Sequence, residues 1–147
     1  MLIISEILYI VHVIALALAA GSATIKLLLL FKCNADHKFF NVYFQVAPLI
    51  TRLIITGMIF LTLSGIAWIV IGYSLETLLI LKMVLVAGIW VLGPIIDNIA
   101  EPKLKKYFPS PGKVPAAEFN LAQKSHLQLE IAATILMYAV VIIGVLL

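Results

Sequence analysis

Charge is almost absent from four long stretches of this chain, and that constrains its fold more than any other feature. Nineteen residues separate Glu6 from Lys26, and twenty-three uncharged residues separate Arg52 from Glu76. Residues 77–96 are broken only by Lys82, and residues 127–147 only by Glu130. A bilayer core about 30 Å thick needs about 20 predominantly apolar residues per helix. The expectation is an all-α, four-transmembrane-helix bundle forming a single integral membrane domain, with helices over about 3–31, 48–73, 76–97 and 115–147 of the 147 residues. Composition agrees. With 64% hydrophobic and 12% charged residues, a soluble domain of this length would expose too much apolar surface.

The boundaries follow from proline and aromatic placement. Pro48 and Pro115 sit where first helical turns are expected, because a proline there forfeits no intrahelical hydrogen bond. The segment "EPKLKKYFPSPGKVP" carries four prolines and is not expected to be helical throughout. "HKFFNVYFQ", in the first connection, is aromatic enough to lie at the headgroup level.

Orientation follows from lysine and arginine. Five of the ten lie between Lys103 and Lys124, while Lys32, Lys38 and Arg52 flank the first connection. The segment before Lys26 has none. Loops 32–47 and 98–124 are therefore expected on the cytoplasmic side, and both termini on the outer side of a prokaryotic-type inner membrane. "LALAAGSA" resembles a signal-peptide cleavage region, but the positively charged segment that opens a signal peptide is missing. The basic residues form no stripe of the kind that binds nucleic acid, and none is expected as a partner. Cys33 is the sole cysteine, so no disulfide or CxxC pair exists.

Polar residues inside the spans are costly, and each is a candidate for function. In "LYIVHVIALALAAGS", His12 is followed on the same helical face by Ala15, Leu16, Ala19, Ser22, Ala23 and Lys26. Small residues let either another helix or a flat cofactor approach closely. The second helix has a comparable stripe at Gly57, Ser64, Gly65, Trp68 and Gly72. His12 lies six residues after Glu6, and Lys82 six after Glu76. If both glutamates mark one interface, imidazole and ammonium share a depth about 9 Å below it. Lys82 then needs an anion: Glu6, Glu76 or a haem propionate.

Two readings follow. In the first, His12 is an axial ligand of haem b, Lys82 balances the propionates, and Met83 is a weak second-ligand candidate. In the second, His12 is a hydrogen-bonded tie between helices, and Lys82 reaches out to a glutamate. At the opposite end, Asp97 and Glu101 are four residues apart, as are His126 and Glu130, and His37 of the first loop is expected on the same side. His126 and Glu130 are weak metal-ligand candidates. The alternative is that Glu130 pairs with Arg52 or Lys26. His12 and His126 enter from opposite faces, roughly 15–20 Å apart across the core, and do not share one iron within one subunit.

The order of these features resembles a group of four-helix membrane proteins that includes the copper-resistance D-type domain and the haem-containing membrane protoporphyrinogen oxidases. "LYIVHVIALALAAGS" is similar to their first helix, "RLIITGMIFLTLSGIAW" to their second, and "LLILKMVLVAGIW", with its early lysine, to their third. The oxidase branch implies haem b on His12 and a required lysine at Lys82. That branch has a longer motif after its first-helix histidine, where this chain reads "GSATIKLLLLFK". The copper branch implies copper import, although Met58, Met83 and Met137 are not clustered. The leading expectation is a haem b redox membrane protein, with Ala15, Ala19, Gly57 and Ser64 packing against the ring. Related tetrapyrrole oxidation, a copper transport or permease component, and a cofactor-free accessory subunit stay open. Expected partners are membrane lipid and a redox partner, a larger membrane complex or a second copy.

Overall fold

A computed structural model describes residues 2–72, 76–110 and 115–146. The chain is helical nearly throughout. Helix α1 spans Leu2–Ala35, and a 3-10 turn at His37–Phe39 leads into α2, Phe40–Ile71. Helix α3 is Thr77–Ile95, continued by a π-helical turn, Ile96–Ala100, and a short α4, Glu101–Tyr107. Helix α5 is Ala117–Leu146. Among the described residues, four helical segments are long and apolar enough to cross a membrane: Ile3–Ala35, His37–Ile71, Thr77–Tyr107 and Ala117–Leu146. In hydrocarbon every backbone N–H and C=O must be satisfied within the segment, and continuous helix achieves this.

Outward faces are apolar along their length. Val70 and Val145 are about four-fifths exposed, at 80% and 81%, and Ile3 is 72% exposed. Water would penalise such a surface, whereas lipid tails accept it.

The helix bounds differ from those expected at four places, the first being the end of α1, which runs on to Ala35 rather than stopping near residue 31. Helix α2 starts at Phe40, not Pro48, so Pro48 lies inside it. An interior proline costs about 3 kcal/mol, and packing of the preceding turns offsets it: Phe40, Tyr43 and Ala47 are each fully buried. The aromatic segment of the first connection forms a packed core. Phe40 meets His37, Tyr43, Phe44, Phe108 and Phe119 at ring-centroid distances of 5.5–6.2 Å. The third helix continues to Tyr107 rather than stopping near 97, through the π turn between Pro94 and Pro102. The wider turn relieves the clash that the Pro102 ring would make with the preceding carbonyls. Helix α5 begins at Ala117, two residues after Pro115. Of the expected second loop, Tyr73, Ser74 and Leu75 lie outside the described residues.

Helices α1 and α2 pack most extensively, and α5 bridges α1 to α3. The α1–α2 contact is backbone on backbone. A Cβ placed on Gly57 would lie 2.7 Å from the Ala19 amide nitrogen and 2.8 Å from the Ala15 carbonyl oxygen. Small side chains are what allow such proximity in a membrane, where no water is released to drive helices together. At the far end of α2, Gly72 takes a left-handed conformation with φ of 109° and caps the helix onto Trp68 and Ile69 carbonyls. Helices α2 and α3 stand further apart; Trp90 Nε1 donates to Thr62 Oγ1 across them at 3.1 Å.

Gly57→Ala is expected to destabilise the bundle by about 1–3 kcal/mol, because backbone rather than a flexible side chain must move. Gly21→Ala, where a new Cβ meets nothing within 4 Å, is expected to be neutral or slightly stabilising. Thermal unfolding of the two variants in detergent checks the contrast.

Candidate functional site

Two polar sites are built on α1, one toward each end, with an apolar layer between them. That layer contains Ala15, Ala19, Met58, Leu61, Ile89 and Met137.

The first site lies toward the end where the chain begins and ends. His12 Nδ1 is 2.8 Å from Ser64 Oγ on α2. Ser64 Oγ also lies 2.7 Å from the Phe60 carbonyl and 3.1 Å from that of Leu61, to which it donates. A hydroxyl has one proton, and here it is committed to the backbone. The Ser64 oxygen therefore accepts from His12, which places the imidazole proton on Nδ1 and leaves the Nε2 lone pair uncommitted among the described residues. Each helix thus fixes the other: α2 holds the ring, and the ring occupies the side chain of Ser64.

His12 lines a half-open cavity of about 230 Å³ with Tyr9, Gly65, Trp68, Ile69, Leu79, Lys82 and Gly144. All four long helices contribute to it. Room exists because Gly65 and Gly144 carry no side chain: a Cβ on Gly65 would meet nothing within 4 Å, and one on Gly144 would lie 3.1 Å from Lys82 Nζ. Lys82 thus lies across Gly144 of α5 in the same cavity as His12. Among the described residues no carboxylate comes within ion-pairing distance of Lys82. The expected reach to Glu6 or Glu76 is not made.

Other expected cofactor contacts lie elsewhere. Ala15 and Ala19 are 3% and 0% exposed and, with Gly57, are consumed in the α1–α2 contact. The stripe of small residues therefore admits a helix there, not a flat ring. Ser64 stands behind His12 rather than in the cavity wall. Met83 is 48% exposed on the outer face of α3 and is not among the cavity-lining residues. Adjacent helix positions point about 100° apart, which is why Lys82 faces inward and Met83 does not.

The second site is centred on Lys26, 2% exposed. Its Nζ lies 2.8 Å from Glu130 Oε1, 3.2 Å from Asp97 Oδ1 and 3.3 Å from Glu101 Oε2. It also donates to Thr51 Oγ1 at 3.1 Å. Asp97 belongs to the π turn and Glu101 opens α4, so the widened turn brings both carboxylates to one ammonium. Between the two partners proposed for Glu130, Lys26 is the one bonded; Arg52 is exposed. Lys26 was legible as the end of the His12 stripe and as one of two partners for Glu130, but not as the centre of a cluster. The missing signal was that Thr51, Asp97, Glu101 and Glu130 share its depth.

Beside this cluster, His126 is fully buried and its Nε2 lies 2.7 Å from the Tyr43 hydroxyl. Its distance to Glu130 Oε1 is 3.9 Å. Among the described residues no three His, Cys, Asp or Glu side chains are arranged to hold a metal ion. His126 and Glu130 are instead engaged with Tyr43 and Lys26. His37 packs edge-on against Phe119 at 5.6 Å.

Comparison with family models, with curated proteins and with solved structures finds no match to this chain. The class it belongs to is defined by its architecture: an all-helical bundle with four potential membrane spans.

Lys26→Met is expected to cost about 3–5 kcal/mol, since it strands buried carboxylates without their cation. The loss should appear as a lowered unfolding midpoint, with Lys124→Met, at an exposed position, serving as the unaffected control.

Proposed function

We propose that this chain is a multi-pass inner-membrane haem b protein of redox type, with His12 as an axial ligand. The observation that carries the reading is the state of His12 in its cavity. A ligating imidazole needs one nitrogen lone pair free and its other N–H anchored. Ser64 provides that anchor at 2.8 Å, and the ring lines a cavity it shares with the ammonium of Lys82. An amphipathic cofactor bearing carboxylates suits these walls. Tyr9, Trp68, Ile69 and Leu79 offer apolar and aromatic surface, Gly65 and Gly144 leave space, and Lys82 would face the propionates. The cavity is half open, so a porphyrin there would lie partly against lipid or against a second subunit. The iron would carry one electron, at a potential set by the axial ligand and the low-polarity surroundings.

In this reading both termini face outward and the lysine-rich segments 32–47 and 98–124 face the cytoplasm, following the distribution of positive charge. Tetrapyrrole oxidation is the enzymatic extension of the same site, as the family resemblance implies. A cofactor-free accessory subunit is the second reading, favoured by the same His12–Ser64 bond taken as a simple tie between α1 and α2.

Absorption spectra of the purified protein, oxidised and dithionite-reduced, test the proposal. Expected are a Soret band with sharp reduced α and β bands, lost in His12→Ala. Ser64→Ala should retain the haem but bind it about 10–100-fold more weakly, the usual cost of removing the partner that orients a ligand. A colourless protein, even with haem supplied during expression, overturns the reading in favour of the accessory subunit.

A further inference from the structure

The Lys26 cluster is not used by the haem reading, and its bonding is incomplete. Three carboxylates surround one ammonium, and among the described residues no other Lys or Arg lies within 4 Å of them. Lys26 Nζ directs hydrogen bonds to Thr51 Oγ1 and Asp97 Oδ1, and Thr51 Oγ1 donates to Asp97 Oδ1 at 3.3 Å. Asp97 thus takes both well-directed donors. Glu130 Oε1 and Glu101 Oε2 lie close to Nζ, yet each is fully buried with no directed hydrogen bond among the described residues. Glu130 is the deeper of the two: its side chain is 6% exposed, against 17% for Glu101.

A second, separate shortage lies beside it. His126 is fully buried, its Nδ1 has no hydrogen-bond partner among the described residues, and its Nε2 points toward both Tyr43 and Glu130. Glu130 also lines a small cavity of about 50 Å³ with Lys26, Thr51, Asp97 and Thr134. That is room for a water molecule among polar groups. Thr134 supplies no proton, because its hydroxyl donates to the Glu130 carbonyl at 2.8 Å. Three ionised carboxylates around a single ammonium leave two negative charges unbalanced, which is costly in an apolar interior.

We propose that the cluster is a membrane-buried proton-binding site, in which Glu130 holds an exchangeable proton against Lys26, Asp97 and Glu101. The proton supplies the donor that the cluster lacks and removes one of the two excess negative charges. It comes from and returns to bulk water, entering past Asp97, the most exposed carboxylate of the cluster at 26%. The small cavity offers a place for a relaying water between Asp97 and Glu130. The groups facing Glu130 are Lys26 from α1, Tyr43 and Thr51 from α2, Asp97 from the π turn, Glu101 from α4, and His126 and Thr134 from its own helix. This inference is independent of haem at His12.

Infrared spectroscopy of the full chain in lipid nanodiscs at neutral pH tests it. The expected spectrum contains a carboxylic-acid C=O stretch that shifts in D2O, disappears in Glu130→Gln, and persists in Asp97→Asn and Glu101→Gln. Glu130→Gln keeps the shape of the side chain and should leave the unfolding midpoint unchanged. If that variant fails to fold, ¹³C-carboxyl glutamate in the unmodified chain should move the band, whereas ¹³C-carboxyl aspartate should not. A spectrum without a carboxylic-acid band overturns the proposal. So does a band that survives Glu130→Gln, is lost in Asp97→Asn, or ignores the glutamate label.

Discussion

Lys26 is the residue on which the bundle converges. Its ammonium is only 2% exposed, and an unpaired charge in an apolar interior is costly, so the chain must bring anions and hydroxyls to it. Thr51 from α2, Asp97 and Glu101 from the π turn and α4, and Glu130 from α5 all arrive at one point on α1. Apolar packing in a membrane is permissive about rotation and register, because lipid accepts any apolar face. A charge that must be met within about 3 Å is not permissive. The π turn makes the point locally, since it re-aims Asp97 while letting the helix continue through Pro102.

The opposite half of the bundle is looser, and the difference has a structural cause. Around Gly57 the first two helices touch backbone to backbone, which closes their small-residue faces. Beyond Ser64, glycines at 65 and 144 face inward where no neighbouring backbone fills the space, and a cavity results. The same residue type therefore seals one level and opens another. The position of the partner helix decides which. Into the opening project an imidazole with one nitrogen anchored and a lysine that pairs with no carboxylate among the described residues, and this asymmetry makes it the site of proposed cofactor binding.

Much of this was legible along the chain. The four uncharged stretches specify four helices, because only a helix satisfies its own backbone in lipid. The stripe His12, Ala15, Ala19, Lys26 marks one face of α1, and that face is the inward one. The sequence spacing also set His12 and Lys82 at one depth, and they line one cavity. Helix ends were less legible. Pro48 looked like a helix start, but the rings of Phe40 and Tyr43 gain enough from burial to carry α2 through it. Pro102 looked like an interruption, but the π turn before it lets the helix continue to Tyr107.

The amino-acid sequence by itself determined the number of helices, their apolar exterior and the list of polar residues that must be accounted for inside. Those follow from local chemistry: hydropathy, helical period and the cost of charge in hydrocarbon. Tertiary structure alone decided which partners those polar residues take. It assigned Ser64 to His12, gave Lys26 three carboxylates, left Lys82 without one among the described residues, and gave the alanine stripe to a helix rather than a cofactor. The reason is that pairing between helices depends on rotation and separation to within an ångström or two, and a one-dimensional period fixes a face but not what stands opposite it.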